Sequence, residues 1–152
     1  MKHMPSEAMM PVFASTKLKL HPANYMIASL PVDEQEKVLD LFKRLSPFSS
    51  VTIDLGEISL ILKEEDWASL KEFFPVYEVE GPYRVITFDI MLDLSLIGFL
   101  SVVSAVLADE GISIYAVSTF LRDHILVKAA DAEKAMRALS TLIQKCDVPI
   151  NV

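Results

Sequence analysis

Two short segments in the second half of the chain contain residues that could bind a small charged molecule. The first, residues 95–98, begins with Ser95 at the predicted start of a helix, where backbone N–H groups and the positive end of the helix dipole suit a carboxylate. Gly98 allows a ligand to approach the backbone closely. The second segment supplies the hydroxyl groups of Ser118 and Thr119 and the carboxylate of Asp123, which suits an ammonium group. Together these groups provide what a pocket for an amino acid requires.

Two of these residues also have plain structural interpretations. Asp123 can be a turn residue between two strands, since Arg-Asp is ordinary turn chemistry. Gly98 can be a glycine that lets a helix pack closely. Both alternatives stay open at the level of sequence.

Catalysis has less support in the sequence than binding. His124 follows Asp123, but no cluster of Cys, His and carboxylate residues has the spacing of a metal site, so we interpret His124 as a residue that packs within a strand. The sequence also contains no glycine-rich phosphate loop and no nucleophile motif of a known enzyme class. We therefore assign no catalytic residues, no metal ligands and no cofactor.

Repeated segments predict the elements that position these residues. Residues 58–66 (ISLILKEED) and 123–131 (DHILVKAAD) each contain an apolar strand, a lysine, two further residues and an aspartate that can cap a helix. Residues 17–30 and 77–90 form a second pair, each with a strand, a turn that contains proline and another strand. Because the two pairs occur in the same order, we predict a tandem duplication of a unit of roughly 60 residues.

Each predicted copy has the element order β-β-α-β-β-α. This order predicts an α+β fold of two ferredoxin-like modules in tandem, with antiparallel sheets and helices on one face. We expect a disordered leader at residues 1–14, a first module at residues 15–74 and a second module at residues 75–152. The lone Cys146 and the lack of a signal-peptide pattern favour a reducing, cytoplasmic location.

A predicted helix at residues 94–109 is apolar around most of its circumference. A helix of this kind must be covered on more than one side. One side would lie on its own sheet. We expect the other, with Val102, Val103 and Val106, to contact another subunit or module rather than to be buried incidentally. Because two-fold pairing is the usual way to bury such a surface, we predict a homodimer.

The composition excludes two classes of partner. The net charge is −7 and only four arginines are present, so the surface repels a phosphate backbone and we expect no nucleic-acid partner. The longest apolar run, residues 94–108, is shorter than the roughly 20 residues that span a bilayer, so we expect no membrane insertion.

Residues 92–128 resemble the ACT-domain family. The similarity rests on a GFL segment at residues 98–100, EGISIYAVST at residues 110–119 and STFLRDHILVK at residues 118–128. Within this family the chain looks similar to the two-ACT proteins related to the cytosolic arginine sensors and to the regulatory domain of aspartate kinase. The first copy lacks the last motif and has IDLGEISLILK in its place.

The resemblance implies a site for an amino acid or a similar small metabolite at an interface between paired modules. The matching positions are Asp93, Leu96 and Phe99 at the helix entry and Thr119, Phe120 and Asp123 on the hairpin. Leu96 stands where the arginine sensors have a carboxylate, which implies a ligand with a smaller or more apolar side chain than arginine.

Two functions therefore remain as hypotheses. The first is a sensor or allosteric subunit that binds an amino acid and passes this state to a regulated enzyme partner or through its own oligomer. The second is a structural or interaction dimer module with a vestigial pocket.

Overall fold

The computed structural model describes residues 3–147. These residues form five α-helices, seven β-strands and three short 3-10 helices. In chain order the helices and strands are α1 (Met10–Ala14), β1 (Lys17–Leu20), β2 (Tyr25–Leu30), α2 (Gln35–Phe42), β3 (Ser50–Ile53), β4 (Ile58–Lys63), α3 (Glu64–Leu70), β5 (Glu78–Asp89), α4 (Phe99–Asp109), β6 (Tyr115–Ser118), β7 (Asp123–Lys128) and α5 (Ala132–Cys146). The 3-10 helices are Val32–Glu34, Lys71–Phe73 and Ala129–Asp131.

The chain divides into two compact units. The continuous unit consists of Pro22–Tyr83. The discontinuous unit consists of the described residues up to His21 together with those from Arg84 onward. Strand β5 contributes its first half to the continuous unit and its second half to the discontinuous unit.

The continuous unit has the chain order β2-α2-β3-β4-α3-β5 and the strand order β3-β4-β2-β5. Its strand pairs are antiparallel, with Tyr25 opposite Lys63 and Leu30 opposite Ile58 at the two ends of the β2–β4 ladder. Alternate residues of β2 and β4 face the two helices, so the core contains Leu30, Leu60 and Leu62 with Val38, Leu41, Trp67 and Leu70. This is a ferredoxin-like βαββαβ unit.

The discontinuous unit has the strand order β1-β5-β7-β6. Helices α4 and α5 cover the sheet face that carries the alternating residues of β5 and β7, and α1 packs into the same core. The members of this core include Phe13, Ile86, Phe88, Phe99, Val103, Leu107, Ile125, Val127, Leu139 and Leu142. The arrangement is again ferredoxin-like, but its fourth strand, β1, comes from the beginning of the chain.

Because β1 pairs with β5, the two compact units do not coincide with the two predicted modules. Strand β1 lies antiparallel to the second half of β5, with Lys17 opposite Asp89 and Leu20 opposite Ile86. The predicted modules at residues 15–74 and 75–152 are therefore offset by one strand from the two compact units. The sequence pattern predicted β1 correctly, but the turn predicted between two strands in residues 77–90 is wrong, since Glu78–Asp89 form one continuous strand. Periodicity also carries no information about which strand pairs with which.

The expectation of a disordered leader is wrong for residues 3–14, and residues 1 and 2 lie outside the described chain. Met9 and Phe13 are buried, and the Phe13 ring stacks on Phe99 with 4.6 Å between centroids. These two residues are four positions apart, so one helical face presents both to the core. The hydrophobic contact orders this segment, although it is too short to be stable alone.

The helix predicted at residues 94–109 begins only at Phe99. Gly98 precedes it with φ +96°, a left-handed conformation outside the helical region. Val103 lies on the face of α4 that also carries Phe99 and Leu107, and it is fully buried in the core of its own unit, so its prediction as an interface residue is wrong. Val102 and Val106 are half-buried and pack at the edge of that core. Within residues 3–147, no helix combines the length and apolar character that crossing a membrane requires.

Replacement of Phe13 by alanine should lower the free energy of unfolding by about 3–5 kcal/mol, the range for a buried aromatic side chain. The matched control is Phe73→Ala, because Phe73 is 48% exposed and its removal should cost much less. Urea unfolding of the two variants measures the difference. Equal losses would contradict the assignment of Phe13 to the core.

Candidate functional site

A groove of about 310 Å³ lies in the discontinuous unit, between the entrance of α4 and the β6–β7 hairpin. It brings together eight of the nine residues that the sequence predicted to bind a ligand. These are Asp93, Leu96, Gly98, Phe99, Ser118, Thr119, Phe120 and Asp123. The ninth, Ser95, does not line the groove. The volume lies at the lower end of the range for small-molecule sites.

The first turn of α4 forms one side of the groove through Phe99, Leu100 and Ser101. The backbone N–H groups in the first turn of a helix have no intrahelical partner, and the helix dipole makes this end positive. A Cβ atom added at Gly98 would meet only the Met9 side chain, at 3.9 Å. The positive φ, rather than lack of space, therefore makes glycine suitable at this position.

Asp93 and Ser95 form a closed turn before the helix. The backbone N–H and the hydroxyl of Ser95 donate to Asp93 Oδ1 at 2.8 and 2.5 Å. The side-chain hydrogen bond and then the backbone hydrogen bond lower the pKa of Asp93, so its carboxyl stays ionised. Ser95 therefore shapes the loop and does not contact the groove.

The two hydroxyls that the sequence predicted as ligand donors are used inside the hairpin. Ser118 Oγ donates to Asp123 Oδ1 at 2.7 Å, and Thr119 Oγ1 donates to the carbonyl of Arg122 at 3.0 Å. A hydroxyl has one proton, so neither group can donate to a ligand while these bonds persist. In this structure the two hydroxyls are thus used within the hairpin, and the charged side chains of the hairpin that line the groove are those of Arg122 and Asp123.

A chain of hydrogen bonds leads from Thr119 into the sheet. Thr119 Oγ1 lies 3.2 Å from His124 Nε2, and His124 Nδ1 lies 2.8 Å from the Thr87 hydroxyl oxygen. Thr87 Oγ1 in turn lies 2.7 Å from His21 Nε2. Which atom donates at each step depends on the tautomers of the two histidines. The predicted packing of His124 within a strand is confirmed, since it lies in β7 and is 7% exposed.

Arg122 also lines the groove, although the sequence analysis did not include it among the ligand-binding residues. Its Nε donates to Asp89 Oδ1 at 3.0 Å, and Lys19 Nζ lies 3.9 Å from the other oxygen of Asp89. The adjacent Arg-Asp pair was a signal in the sequence, but turn chemistry explained it equally well. Its partner Asp89 is 33 residues away and could not be identified from local pattern.

Large apolar side chains are exposed on the segments that form the groove, where Leu94 and Phe120 line it and Met91 and Ile97 adjoin lining residues in the sequence. Met91, Leu94, Ile97 and Phe120 are 69%, 71%, 88% and 76% exposed. We call these four residues the apolar rim. Such a group is unusual on a surface that faces only water, and it indicates a contact with another molecule.

Residues 78–141 match the family model of the ACT domain. This segment contains the helix and the hairpin that form the groove. No curated protein matches the chain.

Solved structures share the fold over most of the chain. A Vibrio cholerae protein of unknown function, described as a possible transport protein, is 20% identical with a TM-score of 0.73 and covers 91% of this chain and 98% of its own. An Agrobacterium tumefaciens protein is 27% identical with a TM-score of 0.68, and the match covers 84% and 89% of the two chains. The regulatory subunit of aspartate kinase from Thermus flavus is 13% identical with a TM-score of 0.59, and the match covers 82% and 95%.

These comparisons confirm the predicted α+β, ferredoxin-like fold. The regulatory subunit of aspartate kinase from Thermus flavus shares this fold over 82% of the chain. The tandem duplication and the relationship to the arginine sensors stay predictions.

The free energy of unfolding should depend on pH through His124. Burial, followed by the charges of His21 and Arg122, lowers the pKa of His124, while Asp123 opposes this shift. The neutral form is favoured in the folded state, so its stabilisation is complete above the unfolded value of about 6.5 and is lost as the pH falls toward the lower folded pKa. The slope for one such group is at most about 1.4 kcal/mol per pH unit.

Urea unfolding between neutral and mildly acidic pH measures this slope. His124→Gln should reduce it, because glutamine cannot titrate. Thr87→Val, which keeps the imidazole and removes its hydroxyl partner, should retain a slope. Identical pH profiles for wild type and His124→Gln would show that His124 does not contribute.

Proposed function

We propose that the groove binds a free amino acid and that the chain is a non-catalytic regulatory module, either a sensor or an allosteric subunit. The observation that carries the proposal is the opposite polarity of the two sides of the groove. The positive first turn of α4 lies on one side and the carboxylate of Asp123 lies on the other. A zwitterion matches both sides at once.

The α-carboxylate would accept hydrogen bonds from the N–H groups in the first turn of α4. The α-ammonium would donate to Asp123, of which Oδ1 already accepts from Ser118 and Oδ2 has no other hydrogen-bond donor within the described chain. Neither contact requires the hydroxyls of the hairpin. Binding of the amino acid therefore does not need Ser118 or Thr119 as hydrogen-bond donors.

The apolar residues of the groove would select the ligand side chain. Leu96, Phe99 and Phe120 line the groove and offer no charge to a basic group. A hydrophobic surface discriminates mainly by size and shape. We therefore expect an uncharged ligand side chain, and arginine should not be the preferred ligand.

The comparisons support a regulatory role for this module. The segment that matches the ACT domain contains the groove, and the similar Thermus flavus protein is a regulatory subunit of an enzyme. By analogy, we propose that this chain also acts on an enzyme partner, and that it does so in the cytoplasm.

The second candidate function is an interaction dimer whose pocket is vestigial. The apolar rim favours it, because exposed apolar side chains serve a protein contact whether or not a ligand is present.

A thermal-shift screen with the twenty amino acids should identify the ligand class. A ligand at 100 times its dissociation constant adds about 2.7 kcal/mol to the free energy of unfolding. Asp123→Asn should then weaken binding by about 1.5–3 kcal/mol, because it removes a charged hydrogen-bond acceptor and keeps the shape. Calorimetric titration measures this change.

The matched control is Asp54→Asn, which alters the corresponding hairpin of the continuous unit and should leave affinity unchanged. Simple amines and simple carboxylic acids should bind far more weakly than an amino acid that carries both groups. If wild type and Asp123→Asn bind the amino acid with equal affinity, Asp123 does not bind the ammonium group and is only a turn residue. No heat with any amino acid would favour the interaction module.

We also propose that the protein is a homodimer that buries the apolar rim. The sequence argument placed the contact on α4, but the exposed apolar surface of the discontinuous unit lies before that helix and on the hairpin. Ile97→Asp should give monomers, because a charge in an apolar interface is costly to bury. Leu55→Asp is the matched control, since Leu55 is 100% exposed on the hairpin of the continuous unit. Light scattering at micromolar concentration distinguishes the two states, and a monomeric wild type would contradict the proposal.

A further inference from the structure

A second groove, of about 420 Å³, lies between α4 and α5 of the discontinuous unit. It is larger than the candidate amino-acid site and shares no lining residue with it. Val106 and Ala138 contribute apolar surface to it, and charged side chains surround them. The groove adjoins the second half of α4, whereas the candidate amino-acid site lies at the beginning of that helix. The two sites can therefore be tested separately.

The acidic residues of this second groove have partners within the protein. His3 Nε2 lies 2.5 Å from Asp109 Oδ2. Lys134 Nζ donates to the carbonyl of Glu110 at 2.8 Å and lies 3.9 Å from its carboxylate. The contact with Glu110 thus occupies Lys134, one of the three cationic side chains of α5.

The other two cationic side chains of the groove, those of Arg137 and Lys145, have no carboxylate within 4 Å among residues 3–147. They lie eight residues apart on α5 with Thr141 midway between them, so all three share one helical face over about 12 Å. The short side chain of Thr141, whose hydroxyl donates to the carbonyl of Arg137 at 3.0 Å, leaves room between the two long ones.

This positive charge has only a partial structural explanation. Lys145 lies in the last turn of α5, where a cation interacts favourably with the helix dipole. Arg137 lies in the middle of the helix and gains nothing from that effect. In a chain with a net charge of −7, unpaired cations would be expected to attract carboxylates of the same surface. Here, two of them instead face an open groove.

We infer that the second groove binds a small organic anion with one phosphate or carboxylate group. Arg137 and Lys145 hold the anionic group between them, and the planar guanidinium can bind two of its oxygens. The body of the molecule lies on Val106 and Ala138. The inference is independent of the proposed amino-acid site.

Phenyl phosphate, benzoate, inorganic phosphate and uncharged phenol are suitable probes, with binding followed by NMR chemical shifts of residues on α5. The double variant Arg137→Gln, Lys145→Gln should weaken phenyl phosphate or benzoate binding at least tenfold. The matched control is Lys71→Gln, Lys128→Gln, which changes net charge equally at two exposed positions outside the groove and should change affinity less than twofold. Circular dichroism confirms that both double variants are folded.

The relative affinities of phenyl phosphate and benzoate identify the anionic group, and either order supports the site. Equal weakening in both double variants would mean that net charge alone attracts the probes, and it would overturn the inference. The same holds if no anion shifts the α5 signals at millimolar concentration. Phenol that binds as tightly as phenyl phosphate would also overturn it, because the cations would then have no role.

Discussion

The packing of Phe99 is the contact on which the candidate site depends. Its ring is stacked on Phe13 at 4.6 Å and meets Phe88 edge-on at 5.3 Å between centroids. The first residue of α4 is thus held by α1 and by β5, while Gly98 turns the chain immediately before it. The N–H groups of the first turn therefore keep a fixed direction although the preceding loop is exposed. Donors that are already oriented bind a ligand at a lower entropic cost than mobile ones.

Neighbouring polar residues of the β6–β7 hairpin have different roles: some hold the turn together and others face the groove. Ser118 and Thr119 hold the turn together, and Arg122 is neutralised in large part by Asp89. Because Arg122 is paired with Asp89, it competes less with a ligand ammonium group for the carboxylate of Asp123. The ionisable side chains that line the groove are Asp93 at the helix entrance and Arg122 and Asp123 on the hairpin.

Much of the candidate site could be predicted because its signals are local. A glycine before an apolar helix and an aspartate beside a strand both constrain the backbone within a few residues, and the structure brings them together. Leu96 and Phe120 followed from family resemblance rather than from spacing. The internal use of the hydroxyls could not be predicted, since it depends on the exact turn between β6 and β7.

The failures concern the direction of side chains and contacts between distant segments. Val102 and Val103 are apolar neighbours, and Val103 enters the core because it shares a helical face with Phe99 and Leu107. Residues 3–14 are ordered by the contact between Phe13 and Phe99, which are 86 positions apart in the sequence, so a local pattern could not predict it. The pairing of β1 with β5 spans a similar distance, and periodicity does not extend that far.

Strand β1 belongs to the discontinuous unit although it precedes the continuous unit in the sequence. This placement affects the order in which the chain can fold during synthesis. The continuous unit needs only Pro22–Tyr83, so all of its strands and helices have been made before α4 begins. The discontinuous unit needs β1, which is made first, and α5, which is made last. Strand β1 and helix α1 must therefore wait, with Phe13 exposed to solvent, until β5 and Phe99 have been made. During that interval α1 and β1 are accessible to chaperones and proteases.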